Sequence, residues 1–150
     1  MIISKPLGEY DFILFSIDRK STILFTFLEI ELERYPSISF RIHIKDHLFI
    51  GEINVWVEKE KIDSFLRDVK ELNSSRKGKV SLESMSPEEL ELTIQSERVN
   101  LFLLNYSTKQ TKYLNNKLIE TTLNGTFEFD SEFFNELEQN VKAIVKLTNI

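Results

Sequence analysis

The sequence predicts an α+β protein in which a curved antiparallel β-sheet, shaped as an open barrel or a sandwich-like layer, packs with two amphipathic helices. Apolar and polar residues alternate through much of the first 60 positions, which is the period of a half-buried β-strand. Two later stretches repeat apolar residues at spacings of three and four, the period of an amphipathic helix. The 150 residues contain no repeat and no low-complexity linker, so we expect a single domain over residues 1–150.

The first part of the chain contains four runs that are typical of strands. A first strand is predicted over residues 10–17, and a second over residues 23–33 begins apolar on both faces and then alternates. Residues 38–45 alternate strictly, and residues 49–57 resume the alternation after a short polar turn. Two such runs joined by a tight turn are typical of a β-hairpin. This region is therefore predicted to be antiparallel.

The first helix is predicted over residues 58–72, where five apolar residues form one stripe. They are Ile62, Phe65, Leu66, Val69 and Leu72. The other face of this helix is charged, so we expect the stripe to pack on the sheet. Three short runs downstream predict further strands, over residues 80–83, 90–94 and 99–106.

Residues 112–129 predict one more long strand or a bent pair of strands. Asn124 and Gly125 suit either a hairpin turn or a glycine bulge. We prefer the bulge, because a turn at this point would leave a very short final strand.

The second helix is predicted near residues 131–146, and Asp130 or Ser131 is expected to cap its amino terminus. Its apolar face is broad and includes Phe134. We expect the two helices to cover the same sheet, with Phe65 and Phe134 both buried.

Composition and charge narrow the classes of function. Lysine and arginine number 19 against 24 aspartate and glutamate residues, a net charge of −5. A chain of this sign gains no counterion-release free energy on a phosphate backbone, so nucleic-acid binding is disfavoured and a basic protein partner is favoured. The chain has no cysteine, no long apolar run and no signal-peptide pattern at its start. We therefore expect a cytoplasmic protein that does not bind membranes.

The residues provide little recognisable catalytic chemistry. The only histidines, His43 and His47, are four positions apart, a spacing that places two imidazoles on one metal in a helix but not at a strand end and its turn. A serine nucleophile would need one of them beside it, and no GxSxG-like segment is present. We expect no enzymatic activity, no metal and no cofactor.

One segment has an uneven charge. Between residues 118 and 141 there are six acidic residues and no lysine or arginine. Carboxylates at a helix amino terminus oppose the helix dipole, which accounts for the acidic residues around 130–132 but not for those that follow. With the acidic residues near 88–91, they predict a negative surface for a basic partner. The proposed partner-binding residues are Glu88, Glu89, Glu91, Glu128, Glu132, Glu136 and Glu138.

The order of elements carries a family resemblance. The strand LFIGEINVWV, the helix EKEKIDSFLRDVKEL, the segments ELELTIQ and VNLFLLNYS, and the closing helix FFNELEQNVKAI resemble the WapI-type immunity proteins of bacterial contact-dependent toxin systems. The resemblance covers roughly residues 38–147, with matching points at Phe65, Leu66, Leu72, Gly78 and Asp130. It implies a cytoplasmic protein, not an enzyme, that binds a toxin domain, commonly a nuclease, and blocks it.

A second function from a different class stays open at this point. A concave sheet with an apolar inner face is also suited to bind a small molecule or a lipid-like ligand. The neighbouring reading frame discriminates between the two, because a large secreted protein with a variable carboxy-terminal domain supports immunity.

Overall fold

The computed structural model describes residues 8–149. The start of the chain, for which no signal peptide is predicted, lies partly outside these residues. The described residues form eight strands, one 3₁₀ turn and two α-helices. The strands are β1 (Phe12–Phe15), β2 (Ser21–Glu31), β3 (Ser37–Asp46), β4 (Phe49–Glu58), β5 (Lys79–Glu83), β6 (Leu90–Arg98), β7 (Leu101–Leu114) and β8 (Lys117–Phe129). The helices are α1 (Lys59–Ser75) and α2 (Phe134–Thr148), and the 3₁₀ turn is Ser131–Phe133.

The strands form two four-stranded antiparallel sheets, in which each strand pairs with its neighbour along the chain. Sheet A has the order β1-β2-β3-β4 and sheet B has the order β5-β6-β7-β8. The predicted α+β class is confirmed, although the strands form two sheets that are not closed into a barrel. The sheets approach at two seams, where Ile17 N donates to Glu128 O at 3.0 Å and Met85 N donates to Trp56 O at 2.7 Å.

The two predicted helices are present and pack against each other. All five residues of the predicted stripe on α1 are buried. This helix runs about a turn further than expected and ends at Ser75. The next residue, Arg76, has a left-handed backbone (φ 59°), and its N–H donates to Leu72 O at 2.9 Å. Asp130 accepts a hydrogen bond from Glu132 N at 3.0 Å and so caps the 3₁₀ turn that leads into α2, whereas α2 itself begins after Phe133 without a side-chain cap. No helix in the described part of the chain is long and apolar enough to cross a membrane.

One hydrophobic core connects both sheets with both helices. The alternating residues of β2, β3, β6 and β7 point into it, and aromatic rings fill its centre. The Phe134 ring lies 4.9 Å from the Phe102 ring and 5.1 Å from the Phe129 ring, both in edge-on contact. Phe65 and Phe134 are both buried, as predicted. The second helix is thereby held against the inner face of sheet B.

The region around residues 112–129 differs from its prediction. Residues 112–114 belong to β7, and the hairpin turn is formed by Asn115 (φ 51°) and Asn116 (φ 66°). Two consecutive positive φ values match the right-handed twist of a two-residue hairpin, and asparagine tolerates them. The preferred bulge at Gly125 is wrong, because Gly125 pairs with Tyr106 in an unbroken register.

Candidate functional site

The β7–β8 hairpin reaches beyond the rest of sheet B. The last residue of β7 that pairs with β6 is Thr108, opposite Leu90. Beyond it, residues 110–121 form a two-stranded extension that we call the hairpin arm. Most of its side chains are exposed. An isolated pair of strands gains little stability from its own contacts. The arm therefore contributes little to the stability of the fold.

Strand β4 passes close to the base of this arm. An ideal Cβ built on Gly51 would lie 2.7 Å from Leu123 Cδ2, so the β4 backbone and the β8 side chain are almost in contact. A cleft of about 210 Å³ lies beside this contact, between Ile50, Ile53 and the base of the arm. We call it the inner cleft.

A second depression continues from the inner cleft along β4. It has a volume of about 530 Å³ and shares Ile53, Lys109 and Gln110 with the inner cleft. We call it the edge groove. Its remaining lining is mostly polar and comes from β4, the β5–β6 connection and β7. These residues are Asn54, Ser86, Pro87, Glu89 and Thr111.

Lys109 connects the walls of both depressions. Its Nζ donates to Glu88 Oε2 and lies 3.6 Å from Glu120 Oε1. The hydrogen bond to Glu88 raises the pKa of Lys109 above its ordinary value and lowers the pKa of Glu88. Lys109 therefore stays charged and ties the β5–β6 connection to the arm. Glu88 is an ion-pair partner within the chain, unlike the free surface charge that was expected.

Exposed apolar side chains are concentrated at the ends of two hairpins. Leu48 is 96% exposed and Phe49 is 70% exposed at the β3–β4 turn, and Tyr113 is 75% exposed near the end of the arm. These two groups contain half of the large apolar side chains that are exposed in the described part of the chain. The members are Leu48, Phe49 and Ile50 on one hairpin and Tyr113, Leu114, Leu118 and Ile119 on the other.

The predicted acidic residues on sheet B do not form one compact patch. Glu91 and Glu128 both lie on its outer face, between buried neighbours. The register places Glu128 opposite Leu103, and Leu103 opposite Gln95, so Glu91 is two strands and four residues away. With ordinary strand spacings this separation is roughly 16 Å. Glu89 is exposed beside the edge groove.

The other predicted acidic residues lie on a different layer of the molecule. Glu132 is exposed in the 3₁₀ turn, Glu136 is exposed on α2, and Glu138 on the same helix is half-buried. Because α2 packs on the inner face of sheet B, these residues and the outer-face carboxylates point to different sides. The structure therefore does not bring the seven predicted residues together on one surface.

Part of the acidic segment is neutralised by residues far away in sequence. Arg19 Nη2 lies 3.6 Å from Asp130 Oδ2, and the Arg19 guanidinium stacks over the rings of Phe15 and Phe133 at 5.3 and 4.5 Å. Glu120 is likewise close to Lys109. The absence of basic residues between 118 and 141 therefore overstates the free negative charge. No sequence signal indicates these pairings.

The two histidines lie at the strand and turn positions that were predicted. His43 pairs with Glu52 across the β3–β4 ladder, and His47 occupies the turn with φ 56°. His47 Nε2 is 4.0 Å from Asp46 Oδ1. Among residues 8–149, no group of three or more histidine, aspartate or glutamate side chains is arranged to hold a metal.

A partly buried polar network at Asp46 was not predicted. Tyr106 Oη donates to Asp46 Oδ2 at 2.5 Å, and Ser21 Oγ donates to Asp46 Oδ1 at 2.7 Å. Burial raises the pKa of Tyr106 well above its ordinary value, and the hydrogen bond to Asp46 raises it further. The network joins the end of sheet A to the middle of sheet B, where His47 of the β3–β4 turn lies beside Thr126, Phe127 and Glu128.

Comparison of the chain with protein-family models, with curated proteins and with solved structures found no match.

Proposed function

We propose that this protein is a non-enzymatic interaction protein of the cytoplasm, an immunity protein that binds a bacterial toxin domain and blocks it. The observation that carries the proposal is the concentration of exposed apolar side chains at the β3–β4 turn and on the hairpin arm. Contiguous apolar residues on a protein surface mark interaction sites, because leaving them in water costs free energy that a partner can recover.

The geometry suits a partner protein. The projecting arm and the cleft at its base form a non-planar surface. Large apolar and aromatic side chains in such surfaces contribute most of the binding energy. Tyr113 and Leu118 lie opposite each other on one face of the arm, whereas Ile119 and Leu114 point to the other face. The arm can therefore be enclosed by a partner.

The identity of the partner as a toxin domain is supported by the resemblance in the order of elements. The net charge of −5 supports a basic partner, since opposite charges accelerate encounter. A nuclease domain fits this charge because its own ligand is a polyanion. Occlusion by an acidic protein needs no cofactor.

The alternative, a ligand-binding module, has less support from the geometry. The inner faces of both sheets are covered by helices and filled by buried phenylalanine rings. The inner cleft, at about 210 Å³, is smaller than the roughly 300–1,000 Å³ of most small-molecule sites. The larger edge groove has a mostly polar lining and is open to solvent.

The proposal is tested by bacterial growth. The toxin domain encoded beside this gene is expressed with the wild-type protein, with the double variant Tyr113→Ser/Leu118→Ser, or with the control Val99→Ser. Val99 is a suitable control because it is apolar and 66% exposed but lies at the β6–β7 turn, outside the arm.

We expect the wild type and the control to restore growth and the double variant to lose protection. Affinity for the toxin domain, measured by calorimetry, should fall at least tenfold in the double variant. Failure of the wild-type protein to protect against the adjacent toxin would overturn the proposal.

A further inference from the structure

We infer that the free edge of β4 binds an extended basic segment of the partner protein as an added β-strand. The inference rests on the proposed function and specifies how the partner is held. Strand addition of this kind uses main-chain hydrogen bonds for affinity and the adjacent walls for specificity.

The direction of the β4 backbone groups follows from two observed hydrogen bonds. Lys59 N, just after β4, donates to Pro36 O on the β3 side at 2.8 Å. Trp56 O, of opposite parity, accepts from Met85 N on the other side. In an antiparallel pair the N–H and C=O of one residue point to the same side, and the sides alternate along the strand. Even-numbered residues of β4 therefore face away from β3.

The even-numbered residues before Trp56 are Ile50, Glu52 and Asn54. Among the described residues, none supplies a backbone hydrogen bond to these three positions on the free side. They present an N–H and a C=O each over roughly 13 Å of strand. Exposed edges are normally shielded by bulges, prolines or a covering element, because they pair readily with another chain. Here β4 pairs with β3 without a bulge over Phe49–Glu58, so the edge is straight.

The space beside this edge is suitable for a strand. The inner cleft is lined by Ile50 and Glu52 and the edge groove by Asn54, so the two depressions together follow this edge. The edge groove is also lined by Ser86, Pro87, Gln110 and Thr111. The strand β4 is anchored in a four-stranded sheet and is a firmer template than the two-stranded arm.

The charges around the groove indicate the chemistry of the segment. One carboxylate lines the edge groove, one lines the inner cleft, and two contact Lys109 in the wall that both depressions share. Two basic side chains partly neutralise these four, which leaves an excess of two negative charges. The carboxylates belong to Glu52, Glu88, Glu89 and Glu120, and the basic groups to Arg41, 3.7 Å from Glu52, and Lys109. An extended segment with lysine or arginine at alternate positions complements this excess.

The test uses a synthetic decapeptide of alternating lysine and valine as the probe, and an alternating glutamate and valine peptide as its control. Binding to the isotope-labelled protein is followed by amide NMR. We expect the basic peptide to bind with its footprint on Ile50–Asn54 and the acidic peptide to bind at least tenfold more weakly. A footprint confined to the arm, or no binding, overturns the inference.

Two further experiments test the main-chain hydrogen bonds. Asn54→Pro removes an N–H that faces away from β3, so the ladder is retained, whereas Asn54→Ala keeps that N–H. We expect at least tenfold weaker binding for the proline variant and at most a twofold change for the alanine variant. A basic peptide with N-methylated alternate residues should also bind at least tenfold more weakly to the unaltered protein, which decides the question if the proline variant does not fold.

The outcomes separate this inference from the proposed function. If Asn54→Pro still protects against the toxin and binds it as tightly as the wild type, the inference is wrong although the immunity function holds. If the peptide binds at β4 but no toxin domain is neutralised, the immunity function fails alone. A second copy of the chain is the other occupant to test. A dimer that pairs through β4 and that the peptide does not displace would assign this edge to the second copy and overturn the inference.

Discussion

Replacing Gly125 by alanine should destabilise the fold through a contact that the chain order does not reveal. Gly125 lies opposite Tyr106 on the neighbouring strand, whose ring covers the glycine. A Cβ atom at this position would fall inside contact distance of Tyr106 Oη and 2.6 Å from Asp46 Oδ2. The hydrogen bond between these two side chains occupies the space that alanine would need.

The magnitude follows from what must move. Losing a hydrogen bond to a charged group costs about 1.5–3 kcal/mol. Displacing packed groups to admit a methyl adds about 1–3 kcal/mol. Alanine also restricts the unfolded chain, which offsets about 0.4–1 kcal/mol. We expect a net loss of roughly 3 kcal/mol, which for a chain of this length lowers the melting temperature by about 6–12 °C.

The free energy of unfolding of Gly125→Ala is measured by urea and thermal unfolding and is compared with that of Gly51→Ala. The control is matched because its Cβ would also be too close to a neighbour, Leu123 Cδ2 at 2.7 Å, but that atom is the far end of a flexible side chain. We expect a loss below about 1 kcal/mol there. In a Tyr106→Phe background the effect of Gly125→Ala should shrink, since the hydrogen bond is already absent. Equal losses at the two glycines would refute the reasoning.

Three further predictions concern the core, the network and the acidic helix. Truncation of Phe65 or Phe134 to alanine should each cost about 3–5 kcal/mol in urea unfolding, and a variant that melts like the parent would contradict the packing described for that helix. The pKa of Tyr106 is raised above its ordinary 10.0, so the unfolded chain loses this proton first and the stabilisation is lost as the pH rises above about 10. The wild type should therefore lose stability more steeply than Tyr106→Phe between pH 9 and 11, and parallel curves would contradict this. Reversal of Glu136 and Glu138 to lysine should slow association with the toxin domain several-fold at low salt and leave dissociation nearly unchanged, and an association rate indifferent to salt and charge would remove this helix from the encounter.

Local periodicity predicted most of the secondary structure. The alternation on both sides of His47 and the stripe ending at Leu72 identify the β3–β4 hairpin and α1 to within a few residues. Such patterns are reliable because burial of one face acts on every second or every third and fourth residue, whatever the partner is.

The local sequence does not determine which residues form the turn of the last hairpin. Asn115–Asn116 and Asn124–Gly125 both tolerate positive φ, and the second is the stronger turn signal by residue type. The structure uses the first, because a turn there aligns Phe127 and Phe129 with the buried side of β7. The glycine serves another purpose, the close approach of a tyrosine ring.

The sequence by itself determined the α+β class, the two amphipathic helices, their buried faces and the net negative charge, because each follows from residue type and spacing alone. Only the tertiary structure decided which charges stay free, since Arg19 and Lys109 reach acidic residues that are about 10–110 positions away. It also decided where the candidate site lies. The inner cleft, the edge groove and the free edge of β4 exist because two sheets cross beside a projecting arm, and contacts between segments distant in sequence leave no periodic signal in the chain.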